Sequence, residues 1–580
     1  MRWLIVLALG SCAADDHRRC EVDDMPLRFD AYHGDERRLG WNDRETELTP
    51  TAIAADGLVV RWSSATLDAE TIDGISYAPH LYAVPLWLDD FPGLDGPTRA
   101  VITATSNGWV YAITADDREC APRAPGEILW ATRLVDPSVV TRLDGGMPLG
   151  VLSTPILDRA GERLFVAAMD RERGWLAFAL DVASGEVLEP WPVVIDDAGA
   201  GAKNTNGPAT LHAPEIVSQR GALKLSPPGD RLYVPFGTYR GEGVGWLVAI
   251  DTNDATIAAA FSSAQWTEST SSGGIWGAAG PAIDDAGDVW LTTGNSPPLS
   301  AQMPGTWGNS LLRLDRDLAL EATYTPFNYC WLDLSNMDIA ASPPLLLPPL
   351  TGASTPDTVA FGGKQGNVYL VDRDALTPVG ASRPNCSDDA AADRSLLPPG
   401  DQPQFGTRGP LNVFGPYSER FGQLDHAKMR SRVAYAELGG ERWLFASGST
   451  KAAEDSETSV APSLAKLRVV APTGAPAYLE TTGYAPDVVF LNPGAPIVAS
   501  DADAAAVVWV IDENAPRTAS LLDPATPSPI LYAFDAETLA PLWRSDDGAL
   551  AKGGKYGTAV VAHGVAIVGT DRITAFGLPR

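Results

Sequence analysis

One phrase recurs along almost the whole chain and constrains it more than any other feature. A short run of alternating apolar and β-branched residues closes on Asp or a near equivalent at Trp109–Asp116, Trp175–Asp181, Trp246–Asp251, Leu311–Asp315, Asn367–Asp372 and Leu531–Asp535. A worn copy stands at Leu464–Val470 and a last one at Arg572–Gly577. Runs of this length between Gly, Asn and Asp turns read as consecutive antiparallel strands. Their spacing of 57 to 70 residues marks a repeat architecture.

A second series supplies the first strand of each unit: Tyr82–Trp87, Val151–Leu157, Arg220–Ser226, Gly277–Ile283, Ala341–Leu347, Ser431–Ala436, Gly494–Ser500 and Tyr556–Ala562. The last of these units lacks a fourth strand, and Leu58–Leu67 has no unit of its own. The chain is therefore expected to be all-β: an eight-bladed propeller of four-stranded antiparallel blades, closed by an N-terminal strand. Closure of this kind leaves no sheet edge open. The Asp ending each third strand is expected to pin the turn by accepting backbone N–H groups. Most of the 17 Trp are expected to fill the space between blades.

Composition agrees. With 55 Gly and 47 Pro and no sustained helical periodicity, the chain reads as many short strands and tight turns. Its 73 acidic against 43 basic residues give a formal charge of −30, which argues against nucleic acid as a partner.

The amino terminus, MRWLIVLALGSC, has one Arg, a short apolar run and small residues before Cys12. It is too short to span a bilayer and reads as an export signal. Leu9-Gly10-Ser11-Cys12 resembles the bacterial lipobox, which implies acylation at Cys12 and a lipid anchor in the outer membrane, facing periplasm or surface. Residues 1–11 are then signal peptide, 12–30 a flexible tether, and 31–580 one propeller domain. Cys20, Cys120, Cys330 and Cys386 are an even set that suits an oxidising compartment. Of the three possible pairings, Cys330–Cys386 is favoured because these two lie nearest each other in the later repeats.

Familiar chemical motifs are missing. DDAGD (Asp284–Asp288) lacks calcium-loop spacing and sits between strands, so it reads as a hairpin turn. GGKQG (Gly362–Gly366) and GGKYG (Gly553–Gly557) are not phosphate loops, and no G-x-S-x-G elbow is present. The six His have no metal-binding spacing. Candidate ligand-binding residues in the central channel are Trp276, Arg430, Arg432, His426, His212 and Lys364; no catalytic or metal residue is assigned.

DVASGEVLEPW (Asp181–Trp191) and DAETLAPLW (Asp535–Trp543) resemble the repeat turn of quinoprotein-type propellers, the pyrroloquinoline-quinone (PQQ) repeat superfamily. SGGIWGAAGPAIDDAGDVWLTTGN (Ser272–Asn295), GGKQGNVYLVDRD (Gly362–Asp374) and YGTAVVAHGVAIVGTDRITAFGL (Tyr556–Leu578) are similar to segments of secreted bacterial PQQ-like propeller proteins. Dehydrogenases of that superfamily hold calcium beside PQQ, use an Asp base, and many carry a vicinal disulfide. Here no adjacent cysteines occur and the calcium ligands are not placed. The expectation is thus a lipid-anchored binding or scaffold module for an envelope protein, peptide or glycan, with no cofactor. The alternative is a periplasmic quinoprotein-like oxidoreductase using PQQ and calcium.

Overall fold

Alternation of side chains decides how this chain packs. In Leu86–Phe91, Leu86 and Leu88 enter one apolar cluster and Trp87 another. In Thr98–Ala104, Ala100 and Ile102 join the first and Val101 the second. A strand with period two feeds both faces of its sheet, so each sheet must be sandwiched between two others. In the computed structural model that condition is met by eight blades in a ring, with eight separate apolar clusters among the described residues, one at each blade–blade contact. The structure describes Cys20 and residues 25–580, apart from 94–97, 141–142, 159–161, 213–215, 239–242, 266–272, 297–304, 327, 335, 380–385, 387–407, 410–411, 417–427, 450–461, 503 and 518.

In chain order the blades occupy residues 86–133, 156–195, 224–262, 282–324, 345–416, 434–484, 497–544 and 560–577. The eighth is completed by Val59–Ser63, antiparallel to Ile573–Gly577, with Val60 opposite Phe576 and Trp62 opposite Ala575. This is the closing strand expected from the sequence. Several blades carry a fifth strand, and the described helices are short: Pro50–Asp56, Asp197–Ala202 and Tyr329–Leu334.

The repeat residues act as expected. Asp251 Oδ1 accepts the amides of Asn253 and Asp254 at 2.9 and 3.2 Å, and Asp535 Oδ1 those of Glu537 and Thr538 at 3.0 and 2.8 Å. Trp87, Trp246, Trp290 and Trp509 are fully buried. Asp284 closes its hairpin by accepting the amides of Ala286 and Asp288, both at 3.0 Å, and takes the Trp290 indole N–H at 2.9 Å.

The sequence gives less warning of the amino-terminal segment. Arg28–Phe29 pairs antiparallel with the inner strand of blade 1, and Trp41–Asn42 pairs parallel with that of blade 7. Between them the Arg38 guanidinium donates to Ala279 O at 2.6 Å, to Pro281 O at 3.2 Å and to Leu223 O, while Leu39 O accepts from Tyr435 N at 2.8 Å. The segment thus crosses the ring from blade 1 past blades 3, 4 and 6 to blade 7, and plugs the channel. Part of the stretch read as tether belongs to this plug: Leu27 and Phe29 are buried, and Cys20 is bonded to Cys120. Two apolar residues among charges leave too faint a pattern to read. The second disulfide joins Cys330 and Cys386, the favoured pairing.

Candidate functional site

Trp276 leads into the inner strand of blade 4 and Tyr556 into that of blade 8, on opposite sides of the ring. Their ring centroids are nevertheless 6.4 Å apart. Such a contact occurs only on the axis, so residues preceding inner strands converge there. Arg220, ahead of blade 3, sits 5.3 Å from the Trp276 ring centroid and 4.8 Å from that of Tyr556.

Asp338, just before a 3₁₀ turn at Ile339–Ala341, brings a carboxylate to the same place. One oxygen accepts the Trp276 indole N–H at 2.6 Å; the other is ion-paired with Lys364. Lys364 also donates to Asn336 Oδ1 at 3.0 Å and lies 4.9 Å from the Trp276 centroid. Its burial pushes the ammonium pKa down, against the pull of Asp338.

Arg430, leading into blade 6, is 6% exposed, yet its Nε and Nη1 have no hydrogen-bond partner among the described residues. Burial lowers its pKa to about 10. Arg517 is exposed and hydrogen-bonds Tyr556, marking the side of the cluster open to solvent. A separate pair, Lys555 with Asp144 at 2.6 Å, adjoins the cluster, and Tyr82 donates to Asp144 at 2.5 Å.

Tyr556 feels the sum of these charges. Burial alone would raise its phenol pKa, but Arg220, Arg517 and Arg430 outweigh it and bring it down to about 8. Its φ of 70° is unusual for a side chain of this size. Gly554 beside it has no room for a Cβ, which would fall 2.5 Å from Tyr82. Around Trp276 and Tyr556, then, Arg220, Arg430, Arg517 and Lys364 outnumber the carboxylates of Asp338 and Asp144. The arrangement suits an anionic ligand with a flat aromatic body.

Of the residues proposed from sequence, Trp276, Arg430 and Lys364 meet in this cluster. Arg432 does not; it lies against the plug, where Arg38 and Tyr32 are its charged or polar neighbours. His212 abuts Gly243, and no hydrogen bond joins it to the Trp276 group among the described residues. His426 and Cys12 lie outside the described residues. Arg220, Asp338, Arg517 and Tyr556 escaped the sequence reading. Arg220 and Tyr556 hold the position of Trp276 and Arg430, just ahead of an inner strand, and that parallel was the available signal.

The fold and site together define an eight-bladed propeller with a buried, cation-rich centre. No protein-family model matches the chain, and no curated protein does. Among solved structures it is similar to the quinohemoprotein alcohol dehydrogenase from Comamonas testosteroni, at 14% identity over 96% of this chain and 81% of that one, with a TM-score of 0.57. It is also similar to a europium-containing methanol dehydrogenase, at 13% identity over 95% and 98% of the two chains, with a TM-score of 0.55. The likeness is one of fold.

Proposed function

We propose that this chain is a quinoprotein-like oxidoreductase whose channel takes a planar aromatic ligand bearing carboxylates, of the PQQ class, and oxidises an alcohol. The observation that carries this reading is Arg430: a guanidinium 6% exposed, with two nitrogens lacking partners among the described residues, near the Tyr556 phenol and the Asp338 carboxylate. A buried cation left unpaired is costly, and a ligand carboxylate would relieve it. Trp276 offers an apolar face, flanked by Arg220 and Lys364. The site favours a small molecule over a protein or glycan, because only a ligand that enters the ring reaches Arg430.

A quinone bound there would supply the two-electron acceptor. The chain's own contribution is Asp338, which would take the hydroxyl proton of the alcohol, with Trp276 and Lys364 fixing the orientation of its two oxygens. The residues fit the quinone's carboxylates better than a hard cation. Calcium needs several converging oxygens, and among the described residues no three acidic, His or Cys side chains come together.

Export and acylation at Cys12 belong to the same reading, with an outer-membrane anchor. Their support is the Leu9–Cys12 sequence and two disulfides, which persist in oxidising compartments. The test of the activity is dye reduction by the full chain supplied with PQQ, with and without Ca²⁺, over a series of primary alcohols. Turnover lost in Asp338→Asn while PQQ is still bound supports the assignment. Absence of turnover with every alcohol, despite bound PQQ, would leave a binding protein and no dehydrogenase.

A further inference from the structure

A second group of cations lies between the plug and the ring. Arg432 is 1% exposed, and its Nε, Nη1 and Nη2 all lack hydrogen-bond partners among the described residues. Arg38 of the plug, also 1% exposed, spends its terminal nitrogens on the carbonyls of blades 3 and 4 but leaves Nε unpartnered. The two are brought together by the plug, since Tyr435 N donates to Leu39 O. Lys224, 4% exposed, donates to Glu36 O and feels both guanidiniums. His33, buried, has no hydrogen-bond partner at either ring nitrogen among the described residues and stacks on Tyr32 at 4.6 Å.

The charges do not balance. Against Arg38, Arg432 and Lys224 stand Asp30, which is buried and has a partner of its own, and the exposed Glu36, which acts on Lys224. Lys224 offsets part of the excess, since burial and the two arginines push its pKa down to about 7. Water molecules would satisfy the orphaned N–H groups, but they would leave Arg432, whose charged or polar neighbours are Arg38 and Tyr32, without a counter-charge. An anion does both.

The geometry points to a structural anion site at Arg432 and Arg38 Nε, sealed by the amino-terminal plug and filled by a small inorganic monovalent anion of the chloride class. Tyr32 and His33, both buried, adjoin the guanidiniums, and such burial suits a small ion. The site is separate from the Trp276 cluster, whose Arg430 has Tyr556, Arg517 and Asp338 as its charged neighbours. It stands or falls without the oxidoreductase reading.

The test uses crystals of the full chain grown in sodium bromide, together with thermal unfolding in sodium chloride and in sodium gluconate at equal ionic strength. The expected result is an anomalous bromide peak within hydrogen-bond reach of Arg432. The midpoint should also rise with chloride by several degrees more than with gluconate, and Arg432→Met should lose that increment. If Arg432→Met fails to fold, the wild-type bromide peak decides. Water density alone, or a halide only at Arg430, overturns the proposal, as do identical midpoints in the two salts.

Discussion

Tyr556 is held with a left-handed backbone among three arginines, and its phenol is pulled down from 10.0 to about 8. Because the folded value lies below the unfolded one, folding favours the phenolate. That stabilisation is complete above pH 10 and is lost as pH falls through 8. The phenolate absorbance of the native protein is expected to include one group titrating near pH 8, and Arg430→Gln or Arg220→Gln to move it upward. Titration of every tyrosine at the ordinary value would show that the arginines do not act on it.

Asp338 poses the matching question for a pair. Asp338→Asn leaves Lys364 buried without its counter-charge, a change expected to cost about 3 kcal/mol. Asp338→Asn combined with Lys364→Met should recover most of that loss in denaturant unfolding. Additive losses in the double variant would mean the two side chains do not stabilise each other.

Elements follow a simpler rule, and the closing strand shows it. Along Val59–Ser63, Val60 is 48% exposed and Trp62 is 7% exposed. Trp62 packs in the cluster that joins blade 8 to blade 1. Trp62→Ala is therefore expected to cost about 3–5 kcal/mol, and Val60→Thr less than about 0.5 kcal/mol. Comparable costs from equilibrium unfolding would show that the strand does not close the ring through its buried face.

This element was legible because a missing fourth strand and a spare strand stand out in a counted repeat. The inner strands were legible in number but not in extent: Tyr82–Trp87 was expected where Leu86–Phe91 is found. The Gly, Pro and Ala residues ahead of them run to the axis without pairing, and alternation cannot reveal that. The plug stayed hidden for the same reason, since Arg28–Phe29 and Trp41–Asn42 are only 2 residues long.

At the scale of the molecule the site inverts the composition. A chain of net charge −30 gathers a cluster of cations at its centre. Ring closure is what assembles them: Lys555 meets Asp144 across 411 positions of sequence. No local pattern announces such a site. Trp276 and Arg430 were found because a Trp or a cation beside an inner strand is out of place among small apolar residues; Lys364 lies in the GGKQG turn between Thr358–Gly362 and Asn367–Asp372. Asp338, in LSNMDIAAS, sits in an irregular connection with no repeat counterpart to be compared with. The eight apolar clusters hold the blades as wedges, so the axial residues are positioned by the whole ring and by no single blade.

The central claim is that this axis binds a planar polycarboxylate through Arg430 and its neighbours. Calorimetric titration of PQQ into the full chain, beside Arg430→Gln, tests it most directly. The account predicts one site of micromolar affinity in the wild-type protein, weakened at least tenfold, or about 1.4 kcal/mol, by Arg430→Gln. No heat of binding in the wild-type protein, or equal affinity in the two, would contradict it.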